Sequence, residues 1–345
     1  MNMIFHQLST ERGCQSYLIG CRDACVALIV DPELSLVDRY HALAVQEGLR
    51  LQYTLETHTH ADHFSGSREL AAAHNLSIIM HRASTAVFGD IRVDDGESII
   101  LGNLRLTIIH TPGHTADSMC IVVEDCVLTG DTLLIGGTGR TDLPSGDPEQ
   151  LYDSLFNKLL LLDQSLRVYP AHIYSDRDYS TIGEEIENNP RLQKTERSEF
   201  VEHMRALDIR MPDHLSEAIR TNISGGKTVD QLIHEAASSV SFMSMHEVKR
   251  RIDSGETDIT ILDVREKEAF TEGHIPGAIL LPRGQLELRV NDVLPDPTHR
   301  IVVYCELGRV STLAAATLKQ MGFGRAVAMD GGMKLWREND YPVTI

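Results

Sequence analysis

Three histidines and one aspartate fill four of six consecutive positions in segment 58–63 (HTHADH). The segment directly follows residues 51–57, which have the pattern of a strand. Histidine ligates a metal through its neutral imidazole and aspartate through a carboxylate oxygen, and together they suit a borderline metal such as zinc or iron. The alternative is an exposed polar loop that gathers histidines by chance. The segment therefore predicts a fold in which a metal-binding loop directly follows a strand.

The length and charge of the chain limit its class and its partners. The chain has 345 residues, which at roughly 100–200 residues per domain predicts two domains. Hydrophobic residues make up 42% of it and charged residues 24%, so it can bury a core and is not disordered. Its formal net charge of −18 argues against nucleic acid or an anionic membrane as a partner, because both are negatively charged.

Hydropathy and cysteine usage favour a cytoplasmic protein. No run approaches the roughly 18 apolar residues of a membrane span, and the first residues lack the basic region and apolar stretch of a signal peptide. The cysteines are sparse and include no Cys-x-x-Cys pair, which is typical of a reducing compartment. We expect all but Cys305 to be small buried hydrophobic residues. The six cysteines are Cys14, Cys21, Cys25, Cys120, Cys126 and Cys305.

Short β-rich runs alternate with helical stretches along the whole chain, which predicts an α/β fold. In the first part, helices are predicted at 65–74 and 148–160, the second beginning after Asp147 as a cap. A further helical pattern lies near 198–207. The strands predicted in this part are 26–30, 51–57, 76–80, 104–109, 119–123, 126–129 and 166–169.

A glycine-containing segment at 223–228 marks a break in the chain. A second α/β unit follows it. The strands predicted in that unit are 259–264, 278–281, 301–304 and 326–329. The sequence thus predicts a first domain at 1–225, a linker at 226–240 and a second domain at 241–345.

Three further metal-capable residues follow predicted strands in the first part. His114 lies in a Pro-Gly turn, Asp131 follows the strand at 126–129, and His172 follows the strand at 166–169. Loops at the carboxyl ends of strands in α/β sheets are where ligands gather. Each residue alone is a weak signal, but four separated segments can converge on one rim of a sheet.

The order His-x-His-x-Asp-His, then His, Asp and His resembles the metallo-β-lactamase superfamily over most of residues 1–225. This resemblance implies a four-layer αββα sandwich with its metal site at one edge. All seven ligand positions are filled, as in two-zinc hydrolases of the glyoxalase II kind, in which a metal-bridging hydroxide attacks a thioester. One subgroup, the persulfide dioxygenases, keeps the same side chains and binds a single iron.

Motifs between the ligands resemble those of the persulfide dioxygenases. Residues 137–143 (GTGRTDL) resemble the family stretch G-x-G-R-T-D-F, and residues 170–174 (PAHIY) resemble P-A-H-D-Y. Residues 180–185 (STIGEE) and 189–192 (NPRL) resemble its S-T-x-x-E-E and N-P-R-L segments. Ile173 departs from the pattern, since the family has an aspartate there that would orient ligands or substrate.

By this resemblance, one Fe(II) per chain would bind His58, His114 and Asp131. Two histidines and one carboxylate leave three positions open for dioxygen and a persulfide sulfur, the geometry of non-haem Fe(II) oxygen chemistry. The other members of the ligand set would surround this triad: His60, Asp62, His63 and His172. Three residues match positions that contact glutathione in the family: Arg140, Tyr174 and Thr115. The planar guanidinium of an arginine suits a carboxylate.

Four motifs after residue 241 resemble, in order, those of a rhodanese domain: 262–266 (LDVRE), 273–278 (GHIPGA), 302–311 (VVYCELGRVS) and 330–336 (DGGMKLW). Cys305 follows an apolar strand and opens a loop before a helical stretch near 312–321. Backbone N–H groups and a helix N-terminus would stabilise its thiolate as a nucleophile and hold an anionic sulfur acceptor. We expect Asp263 and Arg265 to brace this loop. Its other members are Glu306, Leu307, Gly308, Arg309, Val310 and Ser311, with Val310 where the usual loop has arginine.

Two sulfur-handling domains on one chain predict a persulfide dioxygenase–rhodanese fusion. The first domain would oxidise glutathione persulfide with O₂ to sulfite and glutathione. Cys305 would pass a sulfane sulfur from persulfide to sulfite and form thiosulfate, or run in reverse, and the sequence does not set the direction. The resemblance also implies a homodimer.

Two rival functions remain. A dinuclear-zinc thioesterase of the glyoxalase II kind would use the same ligands, but the C-terminal half resembles a rhodanese domain and not that enzyme's helical substrate domain. A non-catalytic sulfide sensor or sulfur carrier would only bind its ligand. The complete ligand set and the intact Cys305 argue against it.

Overall fold

The computed structural model describes residues 2–294 and 296–345. The chain divides into two units, Met1–Gly226 and Lys227–Ile345. The stretch 226–240, predicted as a linker, contains an α-helix at Val229–Ser239, which begins with reciprocal hydrogen bonds between Thr228 and Gln231. Among the described residues, no helix is long and apolar enough to cross a membrane.

Six strands form the first sheet of the first unit: β1 (Met3–Ser9), β2 (Gln15–Cys21), β3 (Val26–Val30), β4 (Arg50–Leu55), β5 (Ser77–His81) and β6 (Ile91–Val93). They lie side by side in chain order. Strands β1 to β3 pair antiparallel, and β4 to β6 continue the sheet in parallel. Every residue of β2 and β3 is buried, because both faces of the sheet are covered.

Six strands form the second sheet: β7 (Ser98–Leu101), β8 (Leu104–His110), β9 (Met119–Val123), β10 (Cys126–Gly130), β13 (Arg167–Pro170) and β14 (Ser180–Thr181). Between β10 and β13 lies a short hairpin of β11 (Leu133–Leu134) and β12 (Gly137–Thr138). The order across the sheet is β14-β13-β10-β9-β8-β7. Only β10 and β13 pair in parallel, so their carboxyl ends lie side by side.

The described residues of this unit also form six α-helices: α1 (Val37–Gln46), α2 (Ser67–His74), α3 (Pro148–Phe156), α4 (Ile182–Asn188), α5 (Arg197–Arg205) and α6 (Leu215–Ser224). One apolar core lies between the sheets and includes Leu28, Leu106 and Leu128. The helices cover the outer faces, where Tyr40 of α1 packs beside β3 and Leu151 of α3 packs beside β10. The predicted αββα sandwich is therefore confirmed.

The second unit has one sheet of parallel strands: β15 (Ser241–Met243), β16 (Ile259–Asp263), β17 (Ile279–Leu280), β18 (Arg300–Tyr304) and β19 (Ala326–Met329). Their order is β15-β19-β18-β16-β17. Its helices are α7 (Val229–Ser239), α8 (Met245–Asp253), α9 (Lys267–Glu272), α10 (Leu286–Val293), α11 (Arg309–Gln320) and α12 (Gly332–Glu338). Separate apolar clusters cover the two faces, one around Val303 and one around Trp336. The predicted small α/β domain with a parallel sheet is confirmed.

Candidate metal centre and sulfur-transfer loop

Four strand ends of the first unit carry the predicted ligands. His58 follows β4, His114 follows β8, Asp131 comes directly after β10, and His172 follows β13. All four side chains are buried. One ligand atom each of His58, His114 and Asp131 lies within 4.8 Å of the other two, so these three residues can share one ion.

His58 presents an unpartnered nitrogen to this position. Because a carboxylate only accepts, Thr57 Oγ1 donates to Asp31 Oδ2 at 2.7 Å and accepts from His58 Nδ1 at 2.9 Å. The opposite nitrogen, Nε2, is buried and has no hydrogen-bond partner among the described residues. Burial, with repulsion from His60 and His114, holds the pKa of His58 well below its usual range. The ring is therefore neutral, with a bare lone pair on Nε2.

His114 is oriented by the backbone of the segment after β12. Its Nδ1 donates to the carbonyl oxygen of Arg140 at 2.8 Å, and its Nε2 lies 3.5 Å from Oδ2 of Asp131. Gly139 permits this close approach, since a Cβ there would lie 2.0 Å from the Asp131 carbonyl oxygen and 2.9 Å from His114 Nδ1. The second glycine of the G-x-G-R stretch thus has a steric role at the centre.

His172 links two carboxylates. Its Nδ1 lies 2.7 Å from Oδ1 of Asp131, and its Nε2 lies 2.8 Å from Oδ2 of Asp62. Burial would lower the pKa of His172, but the two carboxylates outweigh it and raise this pKa well above its usual range. Against the opposite effect of burial, His172 lowers the pKa of Asp131. Both ring nitrogens of His172 thus face carboxylate oxygens, and Nδ1 fixes the carboxylate of Asp131.

His60 and His63 also pair with carboxylates. His60 Nε2 lies 3.1 Å from Asp31 Oδ1 and 3.2 Å from Glu56 Oε2. These two acids overcome burial and raise the pKa of His60. His63 Nδ1 lies 3.1 Å from Asp62 Oδ2, and this contact raises the pKa of His63 to about 9 against burial and repulsion from His60. Both histidines thus pair one ring nitrogen with buried carboxylates beside the triad.

Asn222 of α6 fixes the HTHADH loop. Its Nδ2 donates to the carbonyl oxygens of His60 at 2.9 Å and His63 at 2.8 Å, and its Oδ1 accepts from the backbone N–H of Ser65 at 3.0 Å. One buried amide therefore satisfies three backbone groups of this region. Asn222 was not predicted from the sequence, because no local pattern distinguishes it from a solvent-facing helix residue.

The residues present fit a divalent metal ion. The bare Nε2 of His58, the Nε2 of His114 and the carboxylate of Asp131 converge on one position. Two imidazoles and one carboxylate suit a first-row transition metal and leave coordination positions open. Two neighbouring groups bring their donor atoms equally close together: Cys14, Asp62 and His63, and Asp31, Glu56 and His60.

A cavity of about 620 Å³ has two residues of the triad, His114 and Asp131, in its wall. Tyr174 belongs to the wall, is 79% exposed and stacks its ring on that of His172. Thr115 is not among the residues that line this cavity. Its buried hydroxyl instead donates to Asp117 at 2.7 Å. Of the predicted substrate contacts, the structure brings Tyr174 to the cavity and holds the Thr115 hydroxyl within the protein.

Arg140 also lines the cavity, but its guanidinium is already engaged. It donates to both carboxylate oxygens of Asp142, at 2.6 and 2.7 Å, and to the carbonyl oxygens of Ile209 and Arg210. Arg191 is a further cation in the wall, and it was given no role from the sequence. Burial lowers the pKa of Arg191, and its Nη1 donates to the carbonyl and hydroxyl oxygens of Thr138.

Cys14 is a further residue that sequence reasoning missed. It forms a β-bridge with His172, and its Sγ lies 3.5 Å from Asp62 Oδ2 in the cavity wall. Burial raises its pKa, but hydrogen bonds to His172 and His63 outweigh burial and lower the pKa to about 7. Ile173 supports this arrangement through its backbone, since its N–H donates to the Gly13 carbonyl oxygen at 3.0 Å.

The cysteines were expected to be buried apart from Cys305. Cys14, Cys21, Cys120 and Cys126 are buried, but the prediction for Cys25 is wrong. Cys25 is exposed because it lies in the turn between β2 and β3, with a φ of +52°. Cys305 is itself buried, with 4% exposure.

In the second unit, the Cys305 loop holds sulfur with backbone groups. Cys305 follows β18, and its Sγ accepts from the N–H groups of Gly308 at 3.2 Å and Ser311 at 3.3 Å. Gly308 has a φ of +88°, which turns the chain into α11. The expected brace is confirmed: Arg265 binds Asp263 with Nε and Nη2 and donates through Nη1 to Glu306 Oε2 at 3.2 Å.

Comparisons with known proteins agree with both sites. The metallo-beta-lactamase superfamily matches residues 9–174, and the rhodanese-like domain matches residues 244–339. The chain is 36% identical to mitochondrial persulfide dioxygenase ETHE1 of Bos taurus over 228 residues, which are 65% of this chain and 89% of that protein. The crystal structure of ETHE1 from Myxococcus xanthus, also 36% identical, aligns with a TM-score of 0.64 and covers 65% of this chain and 100% of that one.

A metallo-beta-lactamase from Staphylococcus aureus is similar in fold across both units. It aligns with a TM-score of 0.61 and covers 95% of this chain and 99% of that one, and at 24% identity it supports the fold alone. The His and Asp triad, the αββα sandwich and the identity to ETHE1 agree with one another. The chain belongs to the persulfide dioxygenase family of the metallo-β-lactamase superfamily and carries a C-terminal rhodanese-like domain.

Proposed function

We propose that the first unit is an iron-dependent dioxygenase for glutathione persulfide and that the second is a sulfurtransferase. The first reaction would consume O₂ and release sulfite and glutathione. The observation that carries this proposal is the triad of His58, His114 and Asp131, with its bare buried nitrogen, beside a cavity of about 620 Å³. Membership of the persulfide dioxygenase family supports a persulfide as the substrate.

The protein would position the metal ligands before substrate arrives. A bound Fe(II) would supply the redox chemistry between dioxygen and the persulfide sulfur at its open positions. Thr57 and the Arg140 carbonyl fix the rings of His58 and His114 with Nε2 toward the ion position. His172 fixes one oxygen of Asp131 and leaves the other toward His114.

The cavity wall would hold the glutathione body. Tyr174 offers an exposed aromatic ring next to His172, and Arg191 places a partly buried positive charge in the same wall. Arg140 would hold the cavity wall in place and would not bind substrate directly, because Asp142 and two backbone carbonyls already accept from its guanidinium. Thr115 would act only through the turn that carries His114.

Cys305 would carry a sulfane sulfur between persulfide and sulfite. The two N–H groups directed at its sulfur would stabilise the thiolate that attacks and that later leaves. Transfer from persulfide to sulfite gives thiosulfate, and the reverse reaction consumes it. A shared chain would raise the local concentration of the intermediate.

A dinuclear-zinc thioesterase is the second candidate. It is favoured by the donor group of Cys14, Asp62 and His63 beside the triad, which offers a second cation position. The identity to persulfide dioxygenases supports the first proposal over this one. A sensor or carrier without catalysis is the third, and turnover would exclude it.

The proposal is tested by loading the full chain with Fe(II) in the absence of air, adding glutathione persulfide and O₂, and measuring oxygen uptake. Sulfite and thiosulfate are quantified together. We expect rapid uptake, and we expect Cys305→Ser to keep this uptake while losing thiosulfate formation. No uptake, with thioester hydrolysis by the zinc-loaded protein, would overturn the dioxygenase proposal. Unchanged sulfur transfer in Cys305→Ser would overturn the role of Cys305.

A further inference from the structure

The wall of the cavity beside the metal centre contains cations that have no carboxylate partner. The arginines in this wall are Arg12, Arg140, Arg191 and Arg210. Arg140 pairs with Asp142, and Arg210 pairs with Asp213 at 3.0 Å, so both of these charges are compensated. Among the described residues, the other two arginines have no carboxylate within ion-pair distance.

Of these two cations, Arg12 has its whole guanidinium available. Arg12 is exposed, and its side chain makes no hydrogen bond to the part of the chain that the structure describes. Arg191 is partly buried, and its Nη1 already donates to the carbonyl and hydroxyl oxygens of Thr138. A planar guanidinium binds a carboxylate through two parallel hydrogen bonds, which requires two free N–H groups on one side. Arg12 is therefore the cation in this wall best suited to an incoming carboxylate.

The turn that carries Arg12 is held against the segment that carries Tyr174. The N–H of Ile173 donates to the carbonyl oxygen of Gly13 at 3.0 Å. Gly13 also lies close to the aromatic ring, since a Cβ there would be 3.9 Å from Cδ1 of Tyr174. The guanidinium of Arg12 thus extends from a fixed backbone position, and it shares the cavity wall with an exposed aromatic ring.

An anion that enters this cavity needs local positive charge. The net charge of −18 on the chain opposes the approach of an anion, and an uncompensated cation in the wall reverses this effect locally. Glutathione has two carboxylates and one ammonium group. The ammonium neighbours the carboxylate of the glutamyl end, so the glycyl carboxylate is the one without a countercharge beside it. A single unpaired arginine complements this end of the molecule.

We propose that Arg12 binds the glycyl carboxylate of glutathione persulfide and thereby selects the thiol that carries the persulfide. The inference deepens the proposed function of the first unit and rests on it. The glycyl carboxylate is remote from the reacting sulfur, so its contact with Arg12 stabilises the bound substrate and the transition state equally. Arg12 therefore acts on KM. Inorganic hydrogen disulfide has no carboxylate and gains nothing from this contact.

Oxygen uptake by the Fe(II)-loaded full chain tests the inference with two variants that each remove one positive charge. Arg12→Gln should raise KM for glutathione persulfide by about tenfold, a factor that corresponds to roughly 1.4 kcal/mol. Its preference for glutathione persulfide over hydrogen disulfide, measured as the ratio of kcat/KM values, should fall by the same factor. Arg22→Gln is the matched control, because Arg22 is exposed in the turn at the other end of β2, roughly 20 Å along the strand, and does not line the cavity.

The outcomes separate this inference from the proposed function. Equal KM values and equal preferences in the two variants would overturn the role of Arg12 and leave the dioxygenase in place. No oxygen uptake by the unchanged chain with either persulfide would overturn both.

Glutathione binding by the metal-free full chain provides a second measurement that needs no turnover. Calorimetric titrations with glutathione and with its glycyl monoethyl ester isolate the contribution of the glycyl carboxylate. We expect the unchanged chain to bind glutathione about tenfold more tightly than the ester, and we expect Arg12→Gln to bind the two equally. A preference for glutathione that persists in Arg12→Gln would assign this carboxylate to another residue and overturn the inference. Equal binding of both compounds by the unchanged chain would also overturn it.

Discussion

The two sites of this protein hold their reactive atoms by different means. In the metal centre, side chains orient side chains: Thr57 sets the ring of His58, and His172 sets the carboxylate of Asp131. In the Cys305 loop, backbone N–H groups are directed at the sulfur. We therefore expect the first site to respond to changes in side-chain hydrogen bonding and the second to respond to changes in backbone conformation.

Removal of a ligand should give the largest effect and separate the two sites completely. His58→Ala deletes the bare Nε2. Loss of a residue that only orients a ligand lowers metal affinity by about 10–100-fold, and we expect a larger loss in this variant. Oxygen uptake should vanish while the loading of Cys305 with a sulfane sulfur remains. Metal analysis and oxygen uptake check this, with Cys305→Ser as the reciprocal control. Full metal content and uptake in His58→Ala would place the ion elsewhere.

Removal of an orienting hydroxyl should give the next largest effect. Thr57→Val leaves Nδ1 of His58 and Oδ2 of Asp31 without their shared partner. We expect metal affinity to fall by about 10–100-fold, as for other partners that orient ligands. Thr57→Ser keeps the hydroxyl and is the matched control in a metal titration. Equal affinities of the two variants would show that side-chain orientation does not set this centre.

Two glycine substitutions compare the sites at the level of the backbone. A Cβ at Gly139 would lie 2.0 Å from the Asp131 carbonyl oxygen, whereas a Cβ at Gly308 would meet its nearest neighbour at 3.7 Å. Gly139→Ala should lower the free energy of unfolding by about 1–3 kcal/mol through overpacking and should weaken metal binding. Gly308→Ala should cost about 1–2 kcal/mol, because a residue with a side chain is strained at a φ of +88°.

Chemical denaturation and metal titration of both glycine variants check these values. The comparison also predicts that Gly308→Ala slows the loading of Cys305 and keeps metal affinity. Loss of metal affinity in Gly308→Ala, or its retention in Gly139→Ala, would contradict the assignment of these glycines to separate sites.

The smallest expected effect is on the reactivity of Cys14, whose thiol is hydrogen-bonded by side chains of the metal centre. Its pKa is lowered to about 7, whereas burial raises the pKa of Cys120 to about 11 and that of Cys126 to about 12. A lower pKa means more thiolate at neutral pH, so alkylation of Cys14 in the metal-free protein should rise with pH and level off above about pH 8. Cys120 and Cys126 should stay unreactive over this range. Peptide mass analysis after iodoacetamide treatment checks this, and alkylation of Cys14 that still rises steeply above pH 8 would contradict it.

Much of the fold could be read from local patterns. The strands at Val26–Val30 and Met119–Val123 begin and end as predicted, and the cap at Asp147 accepts from the N–H groups of Glu149 and Gln150. The helix predicted to 160 ends at Phe156 and is followed by a short 3₁₀ turn at Leu159–Leu161. Strands β1 and β2 went unpredicted because their stability comes from pairing with each other and with β3, which local sequence does not encode.

The candidate site divides in the same way. The metal-capable residues were found because they cluster in HTHADH or follow predicted strands, and the family resemblance then singled out the triad. Arg191 lies in the quoted NPRL motif but was given no role, whereas Cys14 and Asn222 reach the site from distant segments without a local signature. Their positions depend on tertiary packing, which single-sequence patterns do not encode. One Fe(II) per chain, a homodimer and a cytoplasmic location stay predictions, as do the domain limits at 1–225 and 241–345.

Because β10 and β13 pair in parallel, the positions of their carboxyl ends do not depend on the length of the segment between them. Two strands that run the same way need a crossover, and this one spans the hairpin of β11 and β12 and helix α3. Residues added to its outer part, near Asn157–Leu166, would lengthen the connection without moving the end of either strand. Asp131 and His172 can therefore keep their hydrogen bond when the crossover changes in length or sequence. The HTHADH loop does not tolerate such changes, because Asn222 binds two of its carbonyl oxygens.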